Sequence, residues 1–378
     1  MTNKPVIRLT PMSNQRGAIV LVSVVLLLTM VTLVTLYTGR IKSFEHKIML
    51  NGQNQQLAFA AAEAGLMRSL GVLSEDKSWD GAALVETLDG ESTFTASGAR
   101  ADIVRASTTM TLISLASTGM SADGLASVTV NEQALSYSIL ANPPDVPLIV
   151  AGGLDVSGNF EVVANPNGGG TGVPLSIWTD APVDMDAGSG TTCGQQEFSD
   201  GTCSSSPYSE KGFKDSDIVD SDPDFPDDLM EYLFNIPESE WSTLRSEADQ
   251  TLAGCATLGL ASLGLIWVDG DCTLNAGKIV GSTADPVILV VTDGDITMNG
   301  GAIINGIVFS FRKPGTIADF DLSMIGGARV NGVVASNHTV GLSSGTYNAV
   351  YDADVLAKIE THDAFQRIAR VPGSWRDF

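Results

Sequence analysis

Asp269-Gly270-Asp271-Cys272-Thr273-Leu274-Asn275-Ala276-Gly277 returns 24 residues later as Asp293-Gly294-Asp295-Ile296-Thr297-Met298-Asn299-Gly300-Gly301. A further copy lies 26 residues on, where Met298-Asn299-Gly300-Gly301-Ala302-Ile303-Ile304-Asn305-Gly306-Ile307-Val308 becomes Met324-Ile325-Gly326-Gly327-Ala328-Arg329-Val330-Asn331-Gly332-Val333-Val334. Alternating apolar residues have the period of a strand, and the Asp-Gly and Asn-Gly pairs supply corners. A unit this short buries its apolar side only by stacking on the next. The repeat therefore predicts a parallel β-helix-like body over residues 146–350, with Val150–Asn159 as a looser copy. A Greek-key sandwich competes, but it gives no reason for a fixed period.

Inside that body, residues 165–261 are rich in Gly, Ser, Asp and Pro and read as an inserted region. Two short helices are expected in it, Asp227–Phe234 and Ser239–Leu252, with Ser239 capping the second and Glu240 at its positive end. Asn142-Pro143-Pro144-Asp145 marks the boundary before the body. Ahead of it, residues 74–145 contain β-prone runs at Ser92–Thr95, Ala101–Ala106, Thr111–Ser117 and Ala126–Asn131. Ser121-Ala122-Asp123-Gly124 lies between the last two, so an antiparallel meander is expected. At the other end, residues 351–378 read as a closing segment, with a helix at Asp352–Arg370 that caps the solenoid edge.

The chain begins differently. No charge occurs between Gly17 and Gly39, and Ala18–Leu36 is apolar apart from Ser23, Thr29, Thr32 and Thr35. That run is long enough to cross a bilayer, which takes about 20 residues. Lys4, Arg8 and Arg16 precede it without an acid, so residues 1–17 are expected to stay cytoplasmic and the body to be exported. A secretory signal peptide has a shorter apolar core. Here the helical pattern continues amphipathically through Ile41, Phe44, Ile48, Leu57 and Leu70, which extends the helix over residues 18–73.

Composition limits the rest. With 378 residues, two or three domains are expected. Residues 1–73 carry seven bases and two acids, whereas residues 74–378 carry 14 bases and 42 acids. The formal charge of −23 repels phosphate backbones, so nucleic acid is not an expected partner. Hydrophobic residues at 44% and charged residues at 17% exclude wholesale disorder. The 39 glycines, with aromatics at only 6%, favour turns and stacked β structure over a helical bundle.

The N-terminal residues carry a resemblance. The basic leader ending Gln15-Arg16-Gly17, the apolar run, and Gln55-Gln56-Leu57-Ala58-Phe59-Ala60-Ala61-Ala62-Glu63-Ala64-Gly65-Leu66 resemble the N-terminal region of PilX-type minor pilins of type IV pili. The resemblance covers residues 12–73. It implies an α+β pilin-like N-terminal part and insertion in the inner membrane. It also implies cleavage by a prepilin peptidase between Gly17 and Ala18, then N-methylation of Ala18. Other minor pilins and the major pilin are the implied partners, perhaps with a tip adhesin, and the pilus is the implied destination.

Most pilins have Glu at the fifth mature position; this sequence has Val22. A carboxylate in an apolar filament core is tolerable only when paired, and Val22 cannot make that pair. The substitution points to a site with one neighbour missing, such as the filament tip. The tip subunit of type II secretion pseudopili is similar in lacking this Glu. Drift of the position in a membrane anchor is the alternative.

Candidate chemistry is sparse. Cys193, Cys203, Cys255 and Cys272 all lie in the exported body, where disulfides persist. Four cysteines allow three connectivities, and pairing neighbours closes the shortest loops. Asp215, Asp217, Asp220, Asp222, Asp224, Asp227, Asp228 and Glu231 form an acidic run. Asp220, Asp222 and Asp224 offer hard oxygen ligands for Ca²⁺, but Phe225-Pro226 stand where an EF-hand needs its turn glycine, and a solvated loop is the plainer reading. Gly341-Leu342-Ser343-Ser344-Gly345 matches the nucleophile-elbow pattern, yet it lies in repeat-like sequence without a convincing His partner. Neither a catalytic residue nor a cofactor site is expected. The competing class is a membrane-anchored β-helical protein that binds or acts on carbohydrate.

Overall fold

A 60-residue helix, α1 (Arg16–Glu75), opens the computed structural model, which describes residues 16–88, 91–105, 108–156, 159–184, 190–203, 217–342 and 346–377. Residues 1–15, Asp215 and Ser343 lie outside the described residues. Every side chain from Ile19 to Gln53 is exposed, and the first buried one is Ala58. From there Ala58, Ala61, Ala62, Leu66 and Leu73 turn one face of the helix onto a sheet. That sheet contains β1 (Leu84–Thr87), β2 (Thr93–Arg105), β3 (Thr108–Met120) and β4 (Ser127–Ser138), all antiparallel.

A Cβ on Gly119 of β3 would collide with the Ala58 carbonyl and the Ala62 amide. Glycine and alanine thus allow helix and sheet backbones to touch. Leu66, Leu73, Ile113, Leu115 and Val130 fill the space beside that contact, each worth about 2 kcal/mol of burial. The meander differs from expectation in length: Ser92–Thr95 and Ala101–Ala106 lie in or beside one 13-residue strand. Ser97-Gly98 breaks the apolar pattern, but Gly98 packs against Gly81 and the Trp79 ring, so the strand continues.

Past the Pro143-Pro144 linker the strands become short and parallel. The first group is β5 (Leu148–Val150), β6 (Leu154–Val156), β7 (Asn159–Val163), β8 (Ile177–Thr179), β9 (Val183–Asp184) and β10 (Thr191–Cys193). It ends with helix α2 (Gln195–Ser199) and β11 (Ile218–Val219). Helices α3 (Leu229–Phe234) and α4 (Trp241–Ser246) follow. The second group opens with β12 (Gln250–Leu252), β13 (Gly264–Asp269), β14 (Cys272–Leu274), β15 (Ile279–Val280), β16 (Val287–Thr292) and β17 (Ile296–Met298). It closes with β18 (Ile303–Phe311), β19 (Phe320–Met324), β20 (Arg329–Ser336), β21 (Val340–Leu342) and β22 (Thr346–Val350).

These strands make a 12-stranded and a 6-stranded sheet among the described residues. Cys272 stands opposite Ile296, Met298 opposite Met324 and Ile303 opposite Arg329. The stacking register is thus the offset of the sequence repeat. Between the two sheets, Val268, Leu289, Val308 and Val334 of the larger meet Leu274, Met298, Met324 and Val340 of the smaller. The other face of the larger sheet, with Trp267, Ile288, Phe309 and Phe311, is also apolar and is covered by α3, α4 and α5 (Ala353–Thr361).

The Asn-Gly pairs behave differently from the corners expected. They sit inside continuous strands, Gly306 in β18 at φ 149° and Gly332 in β20 at φ 134°. A Cβ on Gly306 would strike the Val287 carbonyl, and one on Gly332 the Gly306 carbonyl. The asparagines stack through the layers: Asn331 Nδ2 donates to Asn305 Oδ1 at 2.9 Å, and Asn305 Nδ2 donates to the Gly281 carbonyl at 3.0 Å.

Spatial order departs from chain order. Along the larger sheet one path reads β12-β13-β16-β18-β20-β5-β8-β11. The chain therefore enters beside β20, with Leu148 opposite Val334, and runs out to β11. It then restarts at β12 and fills inward until it meets itself. This corrects the reading of residues 165–261 as an insertion, because β8, β9, β10, β11 and β12 all pair in parallel with body strands. Their two- and three-residue lengths are too short to show a period. The helices also differ: Asp228 caps α3 by accepting from the Glu231 amide, while Ser239 lies in a 3₁₀ turn (Glu238–Glu240) ahead of α4.

The C-terminus is the last difference. Asp352 caps α5, but the helix stops at Thr361 and the chain forms β23 (Gln366–Arg370). β23 pairs antiparallel with β4, Gln366 opposite Ser138. Instead of continuing as a helical solenoid cap to Arg370, the segment closes the head sheet, with Ile368 packed on the helix–sheet core. The body is thereby inserted between two neighbouring strands of the head.

Candidate functional site

The free part of α1 is the largest exposed apolar surface on the chain. Its large hydrophobic side chains from Ile19 to Tyr37 are all more than half exposed. By length and composition this helix is able to cross a membrane. Its hydroxyls are satisfied within the helix: Ser23 donates to the Val20 carbonyl, Thr29 to Leu26, Thr32 to Leu28 and Thr35 to Val31. No hydroxyl of this stretch is left for lipid to solvate. Gly17 and Ala18 lie in the first turn of α1, and Val22 is 59% exposed.

The lower part of α1 is held by the chain's last residues. After β23 the tail crosses β4: the Val371 amide donates to the Gln133 carbonyl at 2.8 Å, and Arg376 bridges Asn131. Trp375 then reaches the helix, where its indole N–H donates to Glu63 Oε1 at 2.9 Å and its ring meets Phe59 edge-on at 6.3 Å. Beside it Arg370 grips Glu132 in a fork, Nε to Oε1 at 2.5 Å and Nη2 to Oε2 at 2.8 Å. The Glu132 hydrogen bond holds the Arg370 pKa above its ordinary value. Sequence reading missed Trp375, Arg370 and Glu132 as a group. More than 200 residues separate the partners, and no local pattern links them.

The structure joins Cys193 to Cys203 and Cys255 to Cys272. The first pair packs with Val163 beside β10, and the second ties the loop after β12 to β14. Asp220, Asp222 and Asp224 do not converge. Asp220 accepts from the Val183 amide, and Asp222 accepts from the Trp178 indole and the Asp224 amide. Among the described residues no three His, Cys, Asp or Glu side chains form a metal-holding group.

One titratable pair lies deeper. His338 Nδ1 bonds the Thr339 carbonyl at 2.8 Å, and Nε2 lies 3.0 Å from the Ser310 hydroxyl. Burial lowers the His338 pKa, and the bond to Thr339 opposes that shift. His338 is 1% and Ser310 3% exposed, so the pair has no access to a substrate. A cleft of about 480 Å³ at the junction of head and body is lined by Met110, Tyr137, Leu140, Phe234, Ile236 and Arg367.

Residues 16–66 match the family model described as PilX N-terminal. No curated protein matches the chain. Among solved structures the chain is similar to the competence-associated pilin ComZ from Thermus thermophilus, at 13% identity, over 86% of this chain and 97% of that one, with a TM-score of 0.26. The matched segment starts at the first turn of α1 and ends at Leu66, inside the helix–sheet core. Residues 16–66 are a PilX-type N-terminal region, and its last turns are built into the chain's own antiparallel head.

Proposed function

We propose that this chain is a minor pilin that is anchored in the inner membrane by α1 and then joins or primes a type IV pilus. The observation that carries the reading is the split character of α1. Residues 19–53 are free and mostly apolar, while residues 58–73 are packed into a globular head. A helix exposed over about 50 Å finds a stable environment only in lipid or among other apolar helices. The PilX N-terminal match over the same residues supports the second environment as well as the first.

In this reading a prepilin peptidase cuts between Gly17 and Ala18, and the new N-terminus is methylated. Val22 supports a position at the tip, where the missing carboxylate has no partner to satisfy. The parallel body is a β-helix-like solenoid carried by the head, a reading that its repeat-matched register supports. The chain catalyses no reaction and needs no cofactor. Its partners are other minor pilins and the major pilin, and the body is free to engage an adhesin or a surface. Immunogold labelling of sheared pili tests the position: label at filament ends is expected, and label along the shaft at major-pilin density overturns the tip. Piliation unchanged by deletion overturns the pilin reading itself.

A further inference from the structure

The stem between membrane span and head carries charge of one sign. Arg40, Lys42 and Lys47 follow Tyr37 within ten residues, with Glu45 as the single acid among them. All four are exposed, and none makes a hydrogen bond or ion pair among the described residues. At 100° per residue, Arg40 and Lys47 lie on one side of the helix and Lys42 nearly opposite, so the bases form a belt rather than a stripe. We infer that this belt binds the phosphates of anionic phospholipid headgroups in the leaflet that faces the body, an assignment that rests on the membrane-anchor reading of α1.

Helix geometry supports the placement. Arg40 and Lys42 stand about 4.5 and 7.5 Å beyond Tyr37 along the axis, which is the depth of a headgroup layer about 5–7 Å thick. Lys47 is about 15 Å beyond, but helical side chains lean toward the N-terminus, so its long stem reaches back toward the bilayer. Tyr37, 67% exposed at the end of the apolar run, is the aromatic that marks such an interface. Charge also separates the belt from the rest of the chain. Residues 74–378 hold 42 acids against 14 bases and are repelled by the surface that attracts the belt. Lipid would thus hold the stem while the body stands clear.

The test uses the full chain in nanodiscs of mixed phosphatidylglycerol and phosphatidylcholine, extracted gently, with the retained lipids counted by mass spectrometry. Phosphatidylglycerol should be enriched at low salt, and the enrichment should fall as salt rises. Since each base near an anionic surface changes partition about fivefold, R40Q/K42Q/K47Q should lose about tenfold or more of that preference. Equal retention of both lipids by the wild type, or unchanged enrichment in the variant, overturns the inference. Failure to insert even in pure phosphatidylcholine sinks the anchor reading instead, since no charge is involved there. If the variant keeps its lipids but no longer co-purifies with other pilins, the belt meets acidic protein surfaces and the lipid assignment is wrong.

Discussion

In the head, β4 alternates buried with less buried residues along most of its length, because α1 covers one face of its sheet and solvent or the tail meets the other. In the body, all six residues of β16 are buried, because a second sheet covers one face and helices cover the other. The two regions therefore spend apolar residues differently. One-sided cover needs a single apolar row and leaves the period of two visible. Two-sided cover needs a continuous run such as Val287-Ile288-Leu289-Val290-Val291, which has lost that period. The head also draws on both termini, whereas the body lies wholly between β4 and β23.

The largest effect should come from cutting at that seam. Ser138 and Gln366 are paired neighbours, so replacing residues 139–365 with Asn-Gly makes a two-residue hairpin. The shortened chain should fold as α1 on a five-stranded sheet, with a cooperative melt and native Trp375 fluorescence. A molten product would show that the head depends on the body.

Reduction should separate the regions without altering the sequence. The two disulfides close loops of 10 and 17 residues, worth about 3 kcal/mol each, and both lie in the body. Under dithiothreitol the body amides should lose hydrogen-exchange protection while those of β3 and β4 keep it. Equal loss in both regions would mean that head and body unfold as one unit.

A smaller change should strike the head alone. Arg370→Ala strands the Glu132 carboxylate, whose side chain is only 4% exposed, while Arg370 itself is half exposed. That exposure reduces the cost to about 2 kcal/mol, read as a lower midpoint for the head with the body unchanged. Arg370→Lys should recover part of it.

The smallest effect is a pH response confined to the body. Burial depresses the His338 pKa in the fold, so the unfolded chain binds the proton first. The stability this contributes is full above the ordinary value of 6.5 and is lost as pH falls below it, by up to about 1.4 kcal/mol per pH unit. Asp145 and Glu360 act in the opposite sense, since burial raises both, but their window lies lower, near the carboxylate range. Body stability should therefore slope downward below pH 6.5 in the wild type, and His338→Gln should flatten the slope. A slope that survives the substitution assigns the proton to another group.

How much was legible follows from element length. α1 was readable because 19 apolar residues and a continuing 3.6-residue pattern admit no competing structure. The register of β14 on β17 and of β18 on β20 was readable because the repeat offsets of 24 and 26 residues are the stacking offsets. β8 to β12 were not, since two or three residues carry no period. β23 was lost for a related reason: five residues ending in Arg370 match the tail of a helix as well as a strand, and only pairing with β4 decides between them. In the candidate site, Val22 and the Gly17–Ala18 junction were visible as residue types at positions, whereas the grip of Trp375 on Glu63 was not.

By itself, then, the sequence determined the elements whose physics is local or repeats at a fixed interval: a helix long enough for a bilayer, a basic stem, and strands that stack at a constant offset. Tertiary structure alone decided where separate segments meet. It set β5 beside β20, so the chain enters its solenoid-like body in the middle, and it returned β23 and Trp375 to α1. Local sequence cannot encode that choice, because an unpaired strand edge accepts any strand of fitting pattern, and the selection among them rests on the core that the whole chain buries.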